Sequence, residues 1–168
     1  WVTSQALRDP AATGRVQAAT PEQLVALAHR AGAPLVESSY NEPLITAEWA
    51  VAVFAAARSA GLRCACVSNG NATPEAVAYL APWLTAVKVA LKSFQDRRYR
   101  RLGGTLAAVT DTIRSFHARG VWLEVVTLLV PGFNDDPAEL RDLAQFLAGV
   151  SRDLPWHVTA FHPDYRMT

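Results

Sequence analysis

Apolar and polar positions along this chain follow two alternating rhythms. Short runs rich in β-branched, aromatic and small apolar residues take turns with longer stretches whose apolar residues recur every three or four positions. Thr20-Pro21-Glu22-Gln23 sets a cap, a first-turn proline and a capping-box glutamine in order, and Leu24, Leu27 and Ala28 then share a helical face before Gly32. Thr46-Ala47-Glu48 opens a second helix ending near Gly61, and Thr73-Pro74-Glu75 a third that Pro82 stops. Thr105 opens a fourth, through Val109, Ile113 and Phe116 to Gly120. Asp136-Pro137-Ala138-Glu139 opens a fifth, with Leu140, Leu143, Ala144 and Leu147 at helical spacing. Between these lie strand candidates at 34–40, 62–68, 86–92, 122–130 and 156–162. The caps recur roughly thirty residues apart, the period of a βα unit, so the sheet is expected to be parallel and covered by helices. Residues 1–19 read as an irregular lead-in.

This order begins with a helix and lacks a leading strand. It fits an open doubly wound sheet or a partial barrel, and periodicity barely separates the two. Polar residues inside the strands favour a barrel with a working interior. Lys88, Ala90 and Lys92 share one strand face, as do Glu37, Ser39 and Asn41. Glu124 lies on the strand after Lys88, so these two can pair; the alternative leaves both near strand ends in water.

The chain has 168 residues, enough for one domain spanning 1–168, and its 51% hydrophobic and 18% charged residues exclude intrinsic disorder. Sixteen basic against fifteen acidic residues leave +1, so no global field points toward nucleic acid or an anionic membrane. No apolar run approaches the roughly 20 residues of a membrane span. Two cysteines, Cys64 and Cys66, make neither a disulfide framework nor a four-cysteine metal site and suit a cytoplasmic protein. At i, i+2 on one strand they read as packing. Arg97, Arg98, Arg100 and Arg101 around Tyr99 read as a solvated helical face, and Gly103-Gly104-Thr105 as a weak candidate for an anion at a helix start.

In parallel α/β folds, ligands bind at the carboxyl ends of the strands. Those ends read Ser39-Tyr40-Asn41-Glu42-Pro43, Ser68-Asn69-Gly70-Asn71, Lys92-Ser93-Phe94, Pro131-Gly132-Phe133-Asn134-Asp135 and His162-Pro163-Asp164-Tyr165. One polar strand end is ordinary turn chemistry; five in register suggest a site.

In order and spacing, these same segments resemble the radical S-adenosylmethionine (SAM) enzymes, above all that of the AmmeMemoRadiSam system, a relative of the pyruvate formate-lyase activating enzymes. The resemblance implies a partial (βα)6 TIM-like barrel and reductive cleavage of S-adenosylmethionine by a [4Fe–4S] cluster. Cleavage yields a 5′-deoxyadenosyl radical that takes hydrogen from a substrate, as a glycyl-radical activase does. The family holds its cluster with a CxxxCxxC loop after the first strand, often continuing into Gln-Asn-Trp. This chain begins at Trp1, so the expectation is a core that starts just after that motif, lacking the first strand, inactive alone and leaving an unpaired edge at 35–40.

The resemblance also assigns a cofactor-binding set. Asn41, Glu42 and Pro43 match the segment whose backbone receives the cofactor's ammonium. Ser68, Asn69 and Gly70 match a strand end whose hydroxyl and N–H groups hydrogen-bond the cofactor. Lys92 matches the lysine that pairs with the cofactor's carboxylate; the aspartate expected two residues earlier is Ala90 here. Val130 matches the wall of the adenine pocket, with Asn134 and Asp135 capping the next helix. His162 matches a histidine near the ribose and adenine. The implied partners are an electron donor such as flavodoxin or ferredoxin and a protein or small-molecule substrate. Two other classes compete: a Schiff-base lyase using Lys92, and a non-catalytic degenerate barrel acting as a binding module.

Overall fold

The computed structural model describes residues 17–40 and 42–163. Five strands form among them: β1 (Leu35–Ser38), β2 (Arg63–Ser68), β3 (Ala86–Ala90), β4 (Trp122–Leu129) and β5 (Trp156–Ala160). Every pairing is parallel, and the sheet order is β1-β2-β3-β4-β5. The helices are α1 (Pro21–Arg30), α2 (Ala47–Ser59), α3 (Pro74–Leu80), α4 (Asp96–Arg101), α5 (Leu106–Ala118) and α6 (Pro137–Val150), and a 3-10 turn (Ala81–Trp83) carries the chain past Pro82.

The strand order decides between the two architectures. A doubly wound sheet reverses direction at a switch point. Here each strand lies beside its predecessor, and right-handed crossovers then put every connecting helix on one side. The sheet is a partial TIM-like barrel. Its convex side packs against helices: Val87, Val89 and Val125 of the strands and Phe54, Ile113, Phe116 and Leu143 of the helices are fully buried together. Burying each such side chain contributes about 1.5–3 kcal/mol. The opposite, concave side carries Lys88, Ala90, Glu124 and Val126, all half-buried.

Helix starts follow their caps. Thr20 and Gln23 form the full capping box of α1, and Thr73, Thr105 and Asp136 each accept a first-turn N–H. Thr46 stands before α2 but makes no side-chain cap bond. In α1 the buried residue is Val25, and Leu27, expected inside, is exposed: the face set by Leu24, Val25 and Ala28 turns inward and leaves Leu27 outside it. The arginine-rich segment is helical as the short α4, with Tyr99 buried at its centre.

The strands stop earlier than their apolar runs. Beyond β1, Tyr40 takes a left-handed conformation, φ 59°, that ends the extended backbone. Beyond β3, Leu91 N–H still donates to the Val126 carbonyl, but Lys92 N–H donates to the Tyr99 hydroxyl. Among the described residues β1 pairs only with β2. No described helix is long and apolar enough to cross a membrane.

Candidate functional site

Parallel pairing places all the strand carboxyl ends on one rim. Glu42, which also has a positive φ of 53°, lies beyond β1. Its Oε1 accepts from the Ser68 hydroxyl at 2.7 Å and from Leu44 N–H at 3.3 Å, and its Oε2 accepts from Asn69 N–H at 2.7 Å. One carboxylate therefore ties the loop after β1 to the end of β2. Left-handed backbone at Tyr40 and Glu42 costs on the order of 1 kcal/mol each, the kind of strain that persists where neighbours fix the geometry. Pro43 is buried. Asn41 lies outside the described residues, as do Asp164 and Tyr165.

Ser68 is buried and in register with Val89, on the helix-facing side. Its hydroxyl donates to Glu42 and accepts from Gly70 N–H at 3.0 Å. The expected free hydroxyl for a ligand is thus spent inside the protein, and Ser68 acts as a bridge. Asn69 Oδ1 accepts from Asn71 N–H at 2.8 Å, closing a local turn. Gly70 has φ 73°, and a Cβ there would stand 2.6 Å from Val89 Cγ1 and 3.2 Å from Val109 Cγ1. Only glycine allows β2 to end so close to β3 and α5.

Lys92 sits two residues past β3, half-buried. Burial pulls its pKa below the ordinary lysine value, and the nearby Glu42 carboxylate opposes that shift. Its backbone is held from both sides: the N–H by Tyr99, the carbonyl by Asn134 Nδ2 at 2.7 Å. Asn134 is almost fully buried. It also donates to the Leu128 carbonyl at 2.8 Å and accepts from Val130 N–H at 2.7 Å. It therefore fastens β3 to the end of β4 and does not cap α6, whose cap is Asp136; Asp135 accepts from Gly132 N–H. Val130 is half-buried on this rim, and His162 is exposed, two residues beyond β5. Glu42, Ser68 and Asn69 form one cluster and Lys92, Val130 and Asn134 another, with His162 making no side-chain bond to either.

Sequence reasoning missed the largest polar hub. Glu139 of α6, 4% exposed, accepts from Ser93 Oγ at 2.5 Å, Phe94 N–H at 2.8 Å and Gln95 Nε2 at 3.0 Å, and pairs with Arg98. Its position in the first turn of a helix looked like a capping residue. Arg98 is correspondingly drawn inward, with its guanidinium 5.5 Å from the Phe133 ring centre, so the arginine cluster is not uniformly solvated. The start of α5 is met by the protein's own groups: Asn71 Oδ1 accepts from Thr105 N–H at 3.2 Å and Asp96 Oδ1 from Leu106 N–H at 3.1 Å. Lys88 and Glu124 do pair, at 3.7 Å, and they do so in mid-strand on the concave side.

Cys64 and Cys66 are buried, with Cys64 Sγ 3.6 Å from the Phe54 carbonyl of α2. Burial, with Glu42 and Glu37 nearby, pushes the Cys66 thiol up to about 12. Two inert thiols on one strand do not fit a three-thiolate [4Fe–4S] site, and the described residues hold no group of three His, Cys, Asp or Glu side chains able to bind a metal. S-adenosylmethionine is different: a half-buried ammonium on a strand-end rim beside apolar Val130 fits its carboxylate and adenine.

Comparisons with known proteins bear on this rim. An uncharacterised Methanocaldococcus jannaschii protein is 30% identical over 150 residues, covering 89% of this chain and 44% of its own length. The chain thus spans less than half of that curated relative. Streptococcus suis SuiB bound to S-adenosylmethionine superposes with a TM-score of 0.73 at 13% identity, over 93% of this chain and 37% of SuiB. A domain of pyruvate-formate lyase-activating enzyme from Bacteroides vulgatus superposes with a TM-score of 0.62 at 20% identity, over 78% of this chain and 80% of that domain. At such identities the two structures speak for the fold. Residues 4–147 match the Radical SAM superfamily, and the chain belongs to it.

Proposed function

We propose that this chain is the cofactor-binding core of a radical SAM enzyme of the AmmeMemoRadiSam type, a relative of the glycyl-radical activases. The observation that carries the reading is Lys92. It places a half-buried ammonium, on a backbone fixed by Tyr99 and Asn134, at the carboxyl end of the central strand. In this reading Lys92 holds the methionine carboxylate of S-adenosylmethionine, Val130 lies along the adenine, and His162 approaches the ribose. Glu42, Ser68, Asn69 and Gly70 shape the loops that receive the ammonium end. When bound, the cofactor supplies a carbon radical that removes hydrogen from substrate. The cluster ligands belong to none of the described residues, and an electron donor such as flavodoxin or ferredoxin is the expected partner.

Calorimetric titration with S-adenosylmethionine tests the assignment. Lys92→Ala removes a charge-assisted hydrogen bond worth about 1.5–3 kcal/mol, a loss of roughly 10- to 150-fold in affinity. Unchanged affinity would strip Lys92 of this role. The lowered pKa of Lys92 also favours a second reading, in which its amine attacks a carbonyl substrate as a Schiff-base nucleophile. Borohydride trapping separates the two: a reduced adduct on Lys92 with pyruvate supports the second, and no adduct alongside cofactor binding supports the first.

A further inference from the structure

The concave face of the sheet holds a polar cluster that cofactor binding leaves unused. The register sets Lys88 of β3 directly opposite Glu124 of β4, and paired residues of parallel strands leave the sheet on the same face. Lys88 Nζ lies 3.7 Å from Glu124 Oε2. His157 of β5 is in register with Val126, two positions beyond Glu124 and therefore on that face too. Its Nε2 lies 2.9 Å from the same oxygen, Glu124 Oε2. The indole Nε1 of Trp122 donates to Oε1 at 3.1 Å. Adjacent strands thus converge on a single carboxylate. Its pKa is held below the ordinary glutamate value, foremost by the Trp122 indole and further by His157 and Lys88.

Glu124 uses only part of what its partners offer. The Lys88 ammonium has three donors, and 3.7 Å is beyond hydrogen-bond length, so among the described residues it makes no hydrogen bond and only this one ion pair. His157 spends Nε2 on Glu124 and keeps Nδ1. The two side chains are 39% and 48% exposed, and the Trp122 ring beside them is 59% exposed. One anion is set between an ammonium and an imidazole, so the cluster is neutral or positive. A ligand drawn to it accepts hydrogen bonds or carries negative charge. Both nitrogens approach the same oxygen, which puts them within reach of one planar carboxylate.

We infer that Lys88 and His157 bind a carboxylate of the substrate. Glu124 acts as the positioning residue that fixes the imidazole, and Trp122 lies against the adjoining apolar part of the ligand. Calling the ligand the substrate rests on the radical SAM reading; the carboxylate site itself does not. Lys88 lies on the concave face of β3, and Lys92 follows two residues past that strand's end, at most about 14 Å further along the chain.

The test follows the histidine side chains by NMR while sodium acetate is added at constant ionic strength, with acetamide as the neutral counterpart. Acetate should move the His157 ring signals saturably, leave His29, His117 and His162 in place, and have no equal in acetamide. Lys88→Met should weaken the acetate response about 2- to 5-fold, the modest size reflecting the pair's exposure, and Lys88→Arg should retain it. The His157 ring nitrogens should report a single tautomer, lost in Glu124→Leu and kept in Glu124→Gln, which still accepts from Nε2. A His157 signal unmoved by acetate, a uniform shift of all four histidines, or a response indifferent to Lys88→Met would overturn the site. A mixed tautomer in the unsubstituted protein would overturn the role of Glu124. Lys92→Ala keeps the two readings apart: it should weaken S-adenosylmethionine binding roughly 10- to 150-fold and leave the acetate response intact.

Discussion

Replacing Glu139 by alanine tests the idea that a carboxylate buried under α6 holds the loop that follows Lys92. The side chain accepts from Ser93, Phe94 and Gln95 and pairs with Arg98, and it is nearly inaccessible to water. Its removal leaves a largely buried guanidinium without an anion and a buried hydroxyl and N–H without acceptors. Breaking a buried pair from one side costs about 3–5 kcal/mol, a large share of the 5–15 kcal/mol typical of a whole domain. With a urea dependence of about 2 kcal/mol per molar, the unfolding midpoint should fall by roughly 2 M. Hydrogen exchange should locate the effect, with Phe94 N–H losing protection first. A double-mutant cycle isolates the charge pair: Arg98→Met added to Glu139→Leu should cost much less than Arg98→Met alone, because no buried charge then remains. A loss below about 1 kcal/mol for Glu139→Ala, or strict additivity in the cycle, would refute the hub.

Other consequences follow from single positions. Gly70→Ala should destabilise by about 2–4 kcal/mol in urea unfolding, since it combines a 2.6 Å clash with Val89 and a left-handed backbone. Lys92→Met should raise the melting temperature by a few degrees, about 1 kcal/mol, while weakening cofactor binding, because the native fold holds this ammonium partly out of water for function. Cys66 should resist Ellman's reagent at pH 8 until the protein unfolds. Its folded pKa of about 12 lies above an unfolded value near 8.5, so its contribution is complete below pH 8.5 and lost progressively as pH rises toward 12. Cys66→Ala should flatten that part of the stability–pH curve, and an unchanged slope would show that Cys66 does not cause it.

Much of this protein is written in local sequence. Caps at Thr20, Thr73, Thr105 and Asp136 act through bonds to residues two or three positions away, and the apolar faces of α5 and α6 repeat within a few turns. Such signals are short-range, so the alternation of helix and strand, the parallel sheet and the five polar strand ends are all legible in the sequence. The choice of a barrel over a doubly wound sheet depends on which strands become neighbours, and periodicity carries no record of that. Side-chain roles depended on the same long-range information. Ser68 and Glu42 look like ligand-binding residues in isolation, and only the approach of β1 to β2 shows that they satisfy each other. Glu139 and Asn134 look like helix-start residues until α6 and the β4 loop are folded against the end of β3, 40 or more residues away in sequence. The Lys88–Glu124 pairing could be guessed from strand order, but the convergence of His157 and Trp122 on that same carboxylate required the register of three strands. Hydrogen-bond partners of buried polar groups are set by which segments meet, and that is decided by packing of the whole chain.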